Sequence, residues 1–422
     1  MHDLSRVALC ALALLLASLA TALPVRADEL PPLTAHGSPA LDRAALVRAV
    51  LARNPSARAA EAALRSAEAR AGAAGSLADP MLRATLAPQS LWQGPRTGYG
   101  FEVAQPLLAW GKRGLARRAA RHDAEAMRFD LAALRLDLAL AASQLYDEAF
   151  LAQRSLALNA AHRALVEDLR QTALARYEAG AAPQQAPLAA ELGAARLEHR
   201  EITLRTQHRI ALAQLNALLH RAPEAELPPF PDAFTPARET SGDAERPELR
   251  AGAARAEARA AEATLARRSR IPDVTLMGGY DAMWDEREMR PMLGVEIELP
   301  FARARRRAEI AEADAQREAA ELELERAQSE ASLAVAIARE RLAEAEHGLT
   351  IVREQILPAA RDQFDAASAA LAAGRGEFGD AIEAERAWYE AELEAAEALV
   401  ALSRSAAELN RALGKSGAED VQ

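Results

Sequence analysis

One phrase occurs twice in this chain. It reads YGFEVAQPL from Tyr99 and LGVEIELPF from Leu293. Gly100, Glu102 and Pro106 recur as Gly294, Glu296 and Pro300, each 194 positions on. The same offset links Gly180 to Gly374, Glu191 to Glu385, and LNALL at Leu215 to LNRAL at Leu409. Ahead of the phrase the offset is 192: Pro55 matches Pro247, Arg58 matches Arg250 and Pro80 matches Pro272. The change falls within 92–97 and 284–290, where loop residues concentrate. A period this long predicts two structural halves in tandem, not a solenoid.

Each half reads in one order: a helix, two strands, a very long helix and a shorter return helix. The first half, 28–220, places helices at 55–77, 109–178 and 183–220 and strands at 81–91 and 96–106. The second, 244–414, places helices at 247–268, 302–373 and 378–413 and strands at 273–283 and 290–300. A proline-rich linker, 221–243, separates them, and 415–422 form a tail. Only 4% of the residues are aromatic while 50% are apolar, an alanine-rich composition that suits long helices and coiled coils. Leu131, Leu134, Leu138 and Leu145 step at heptad-like intervals. About 70 helical residues span roughly 105 Å, wider than any globular domain. The predicted shape is a rod.

In LGVEIEL, Leu293, Val295, Ile297 and Leu299 alternate with Gly294, Glu296 and Glu298. Tyr99, Phe101 and Val103 alternate with Gly100, Glu102 and Ala104 in the same way. The pattern predicts strands with one apolar and one polar face. Segments of about ten such residues suit a transmembrane barrel, apolar side to lipid and polar side to water. Glu102, Glu296 and Glu298 are then lumenal. Pro80, Pro106, Pro272 and Pro300 fall at the four predicted switches between helix and strand, where a residue without an N–H ends a ladder. Four strands cannot close a barrel, and an open edge cannot face lipid. The chain must associate: two copies give eight strands, three give twelve.

Residues 1–27 read as a secretory signal peptide, with Arg6 ahead of an apolar stretch and Ala27 at a plausible cleavage site. The only cysteine, Cys10, lies inside it. The chain has net charge −10. Arg6, Arg26 and Asp3 give the segment +1, leaving −11 after removal, which argues against a nucleic-acid partner. No nucleophile elbow, phosphate loop or zinc motif is present, so neither an enzyme nor a cofactor is expected. GRGEFG at Gly374–Gly379 follows a helix and not a strand, so it reads as a tip between helices and not as a nucleotide loop. Met277, Met283, Met289 and Met292 cluster within the second strand pair. Thioethers bind Cu(I), but packing toward lipid or within the loop is the plainer expectation, and no fixed metal site is predicted. Lys112, Arg113, Arg117, Arg118 and Arg121, with Arg303, Arg305, Arg306 and Arg307, would lie just below the strands. They form either a basic belt at the membrane surface or a set of ion pairs.

With the duplication, the strand placement, the tips YEAGAAP and LAAGRGEFGDAIEAERA and the LNALL and LNRAL endings, the chain resembles the TolC-type outer-membrane efflux channel family. The resemblance covers nearly all of the chain after the signal segment. It implies a mainly α fold with a small β part, in a homotrimer. A 12-strand barrel in the outer membrane of a Gram-negative bacterium would continue into a 12-helix periplasmic tunnel. The implied partners are outer-membrane lipid, a periplasmic membrane-fusion adaptor meeting the tips at Gly180, Gly374 and Gly376, and an inner-membrane pump, RND type. AQPLLAWGKRG at Ala104–Gly114 and LADPML at Leu77–Leu82 resemble the heavy-metal efflux branch, although Trp110 stands where a glycine is usual. The substrate classes implied are thus heavy-metal cations, with drugs, organic solutes or secreted protein as alternatives of the same family. A periplasmic coiled-coil adaptor or scaffold is the alternative of another class, disfavoured by the amphipathic strands. The family closes its tunnel with acids just past the tip glycine. Asp380 and Glu383 match that pair, Ala186 replaces the first of them in the other half, and Glu377 is a nearby candidate.

Overall fold

The computed structural model describes residues 33–34, 40–86, 98–238, 246–284 and 286–416. The signal segment, most of the tail, 87–97 and the end of the linker lie outside them. Helices α1 (Arg43–Arg53) and α2 (Pro55–Ala73) lead into strand β1 (Met81–Leu86). Strand β2 (Tyr99–Leu107) precedes α3 (Lys112–Glu178) and α4 (Gln185–Leu218). After an irregular stretch come α5 (Pro247–Arg268), β3 (Val274–Asp281) and β4 (Pro291–Ile297). Helix α6 (Arg303–Ile351), a π turn (Val352–Ile356), α7 (Leu357–Ala372) and α8 (Phe378–Ala412) complete the described chain.

Sequence physics accounts for most boundaries. Asp42 caps α1 by accepting from the Ala45 amide at 2.8 Å. Asn54 then caps α2 in extended backbone, with Pro55 at the first helical position. A residue before proline is driven out of the helical region, so the expected helix at 55–77 has a separate helix ahead of it. Helix α3 runs 67 residues without a break, about 100 Å. Its counterpart at 302–373 was expected to be continuous and is not. Pro358 lacks the N–H that would reach back one turn, and the chain winds into a π turn over Val352–Ile356 just before it.

The strands form one antiparallel sheet in the order β1-β2-β3-β4, leaving β1 and β4 as edges. Three of the four prolines lie outside the strands as expected, but Pro106 lies inside β2, opposite Thr275. The Tyr99 carbonyl accepts from the Ala282 amide, so alternate β2 residues, Pro106 among them, aim their backbone groups toward β1. Pairing with β1 has already ended there, at Met81 opposite Ala104. The missing N–H of Pro106 therefore costs the ladder nothing.

The largest core joins α1, α3, α4, α8 and the irregular stretch. It contains Leu46, Val50, Tyr146, Phe150, Leu215, Phe230 and Val400. The stretch after α4 is not a free tether: Phe230 packs on Tyr146 and Phe150, and Pro229 accepts from the Leu41 amide. Arg43 ties this region together. Its guanidinium lies 2.5 Å from the fully buried Asp147 and donates to the Ser403 hydroxyl. Burial pushes Asp147 up to about 6, although Arg43 opposes it.

Candidate functional site

Directly opposed residues in an antiparallel sheet share a face. The register therefore sorts every strand residue. One face holds Leu82, Leu86, Phe101, Val103, Leu276, Tyr280, Leu293, Val295 and Ile297. All of these are exposed, Leu293 to 95%. The other face holds Arg83, Thr85, Glu102, Thr275, Asp281 and Glu296. Glu102 and Glu296 thus share the polar face, and Glu102 pairs with Arg83 across the strands at 3.2 Å. Glu298 lies one residue beyond β4, yet its amide still donates to the Asp273 carbonyl.

The methionines correct one expectation. Met277 and Met292 do not sit on the apolar face. Their register puts both on the polar face, together with Met81. Met283 and Met289 lie in the β3–β4 connection and are exposed. Met277 reaches over Gly294, the glycine opposite it.

The basic residues below the sheet divide. Lys112 is buried, with its Nζ 2.9 Å from Asp273 and 2.8 Å from the Ile271 carbonyl. Arg113 and Arg117 donate to the Gly75 carbonyl. These are internal contacts between α3 and the chain around it. Arg305 pairs with Glu309 one turn on. The side chains of Arg118, Arg121, Arg303 and Arg307 have no hydrogen-bond or ion-pair partner among the described residues.

At the far end of the rod, α3 and α7 stop in the same way. Gly180 has φ +70° and Gly374 φ +73°. In each, the following amide reaches back five residues, Ala181 to Arg176 and Arg375 to Ala370. That left-handed turn favours glycine. Gly376 has no room for a side chain, since a Cβ there would lie 2.9 Å from the Leu371 amide nitrogen. Phe378, Ala381, Leu371, Ala173 and Ala186 bury one another just behind the tips. Glu377 takes the N-cap position of α8 without a side-chain bond, Asp380 follows in the first turn, and Asp380 and Glu383 are exposed. Glu383 also lines a 490 Å³ cavity between α4 and α8 with Arg196, Arg200, Glu385, Arg386 and Tyr389. The buried Ala186 lies in the first turn of α4.

Sequence reasoning missed one site. His162, on α3 and 1% exposed, is held between two carboxylates of α8. Its Nδ1 lies 2.8 Å from Glu385 and its Nε2 3.0 Å from Glu392. With both carboxylates ionised, both ring nitrogens donate and the ring is an imidazolium. Burial alone would lower its pKa, but the two glutamates outweigh it and hold the ring above its ordinary value. Trp388 and Tyr389 enclose it, and Phe364 stacks on Trp388. Arg361 lies over Trp388 and Arg200 over Tyr389. Eight histidines scattered without ligand spacing gave no signal for it.

The family model described as "Outer membrane efflux protein" matches residues 46–220 and 243–415. The chain belongs to the outer membrane efflux protein family. Members of this family are transport channels and not enzymes, and the match sets aside the adaptor reading. Solved structures agree on the fold. An outer-membrane channel named OprN matches at TM-score 0.77 and 21% identity, over 89% of this chain and 90% of its own. CusC, described by its folding and transmembrane channel formation, matches at 0.75 and 17%, over 88% and 92%. The open state of the Neisseria gonorrhoeae MtrE outer membrane channel matches at 0.73 and 19%, over 90% of each chain. A search of curated protein sequences finds no match.

Proposed function

We propose that this efflux-family chain is the outer-membrane conduit of a tripartite efflux system, working as a homotrimer with a periplasmic adaptor and an inner-membrane pump of RND type. The observation that carries this reading is the sheet: it is apolar and exposed on one face, polar on the other, and, among the described residues, unpaired at both edges. Three copies joined edge to edge give a closed 12-strand barrel with no free edge in lipid. In that barrel Glu102, Glu296 and Glu298 line the lumen. The two tandem halves supply equivalent hairpins below it, with tips at Gly180 and at Gly374 and Gly376 facing the adaptor. Asp380 and Glu383, with Glu377 beside them, form the periplasmic gate on the second hairpin only.

Heavy-metal cations are the proposed substrate, passing without a fixed site. The polar face supports this reading, because it combines carboxylates with the thioethers of Met81, Met277 and Met292, and thioethers suit soft cations. Deletion of the gene in its host decides the substrate. Sensitivity to copper, silver, cobalt or zinc is expected, with drug sensitivity unchanged. The reverse pattern assigns the channel to organic solutes. Fractionation with heat-modifiable gel migration tests the barrel itself, and a protein that stays in the soluble periplasm overturns it.

A further inference from the structure

Where β4 gives way to α6, four arginines, three of them exposed, line one hollow. Arg270, Arg303, Arg306 and Arg307, with Pro300, line a cavity of 590 Å³. Arg306 is anchored through its Nε to the Ser269 carbonyl at 3.1 Å. The side chains of Arg270, Arg303 and Arg307 have no hydrogen-bond or ion-pair partner among the described residues. Arg305 is not part of the hollow, since it turns to Glu309.

The lining of this hollow carries no acidic side chain, although Arg306 also lines the adjoining cavity that holds Asp273, Glu298 and Glu309. Helix α6 opens at Arg303 with no acidic residue in its first turn and no side-chain cap. The positive end of the helix dipole therefore adds to the mutual repulsion of the arginines. An anion relieves both. Arginine's planar fork matches the oxygens of a phosphate, and several forks around one hollow make a site and not a diffuse patch.

The surroundings distinguish the source of the phosphate. Leu299 and Phe301 flank the arginines, and Phe301 is 81% exposed. At the matching switch of the first half, Trp110 is 94% exposed beside an exposed Leu108. Exposed aromatic and aliphatic side chains next to unpaired guanidinium groups mark the boundary between acyl chains and headgroups. A free phosphate ion has no use for the apolar rim. We infer that Arg270, Arg303, Arg306 and Arg307 form a binding site for the phosphate of an anionic phospholipid in the periplasmic leaflet, with its acyl chains against Leu299 and Phe301.

The inference rests on the barrel reading, but the two fail separately, because fractionation reports on the barrel and lipid binding reports on this hollow. The test uses the purified full chain in neutral detergent, titrated with phosphatidylglycerol, phosphatidylcholine or inorganic phosphate, with bound lipid read by native mass spectrometry. Phosphatidylglycerol is expected to remain bound where phosphatidylcholine is stripped, and millimolar inorganic phosphate is expected not to displace it. R303Q with R307Q should weaken retention about twenty-five-fold, from roughly five-fold per basic residue at a membrane surface. R118Q with R121Q separates the hollow from a diffuse belt: retention should be unchanged, and a loss equal to that of R303Q/R307Q overturns the hollow as a site. Unaltered heat-modifiable migration of both variants establishes that they fold. Equal retention by R303Q/R307Q and the parent overturns the site. Displacement by inorganic phosphate overturns the lipid as its occupant. Loss of oligomer in R303Q/R307Q, without any lipid bound to the parent, makes the hollow a seat for a carboxylate of a second copy and overturns the inference as well.

Discussion

Replacing His162 by glutamine tests how α3 and α8 are held together. In the native chain the imidazolium satisfies Glu385, which is 4% exposed, and the less buried Glu392. Glutamine fills similar space but brings no charge, and it leaves Glu385 as a buried carboxylate without its partner. Breaking a buried pair in this way costs roughly 3–5 kcal/mol. Glu392 can turn to solvent, so the lower end applies, about 3 kcal/mol per protomer. By comparison, an exposed pair such as Arg386–Glu390 is worth about 0–1 kcal/mol. Because the folded chain holds His162 above its ordinary value, its contribution is complete below about pH 6.5 and is lost as the pH rises through the folded value. Asp147, raised to about 6, stabilises the fold at low pH and loses that contribution as the pH rises from its unfolded value to about 6, below that window. The comparison therefore runs from pH 6.5 to 9, by denaturant unfolding of the detergent-solubilised protein followed by circular dichroism. The parent should lose stability across that range, H162Q should start about 3 kcal/mol lower and change little, and the gap should narrow with pH. E385Q added to H162Q should recover part of the loss, since no buried carboxylate then lacks a partner. A constant gap at every pH would refute the imidazolium.

Gly279 faces the β2 backbone so closely that a Cβ would lie 2.5 Å from the Phe101 carbonyl oxygen, whereas at Gly278 the nearest atom is a Leu293 methyl at 3.6 Å. G279A should abolish heat-modifiable barrel on gels, and G278A should preserve it. Leu293→Arg puts a charge on the apolar face at a cost of about 2–4 kcal/mol near the bilayer midplane, so outer-membrane yield should fall, while Glu296→Arg on the opposite face should keep the yield and reduce cation selectivity in planar bilayers. Divalent or trivalent cations added from the tip side should block conductance, and D380A with E383A should remove the block. Equal block of that variant and the parent would place the gate elsewhere.

Much of this architecture could be read before any coordinates. The alternation in LGVEIEL is a period-2 pattern that only a two-faced sheet satisfies, and the register sorts its residues as the alternation predicts. The tip glycines were legible because a left-handed turn leaves few other choices. Features set by contacts between distant segments were not. His162 acquires its meaning from Glu385 and Glu392, 223 and 230 positions away. Met277 and Met292 were expected to pack toward lipid or within the loop because methionine is apolar, yet strand register outranks residue type. Pro106 was expected at a switch because proline ends ladders, but which neighbour its nitrogen faces depends on where β1 begins. The π turn needed Pro358 to be weighed inside an otherwise strong helical pattern.

That π turn stands at a particular height. Val352–Ile356 lies 194 positions beyond 158–162, the segment that ends at His162, and it packs against α8 as His162 does. The one irregular turn of the long columns is therefore level with their one buried imidazolium. From Ile356 to Gly374, and from His162 to Gly180, the chain runs about 27 Å at the helical rise. Only the second half carries the irregular turn, since α3 is unbroken through 158–162. A bend of about 10° at the π turn would carry that tip through roughly 5 Å, close to one helical pitch, whereas the first-half tip would have to bend continuous helix to follow it.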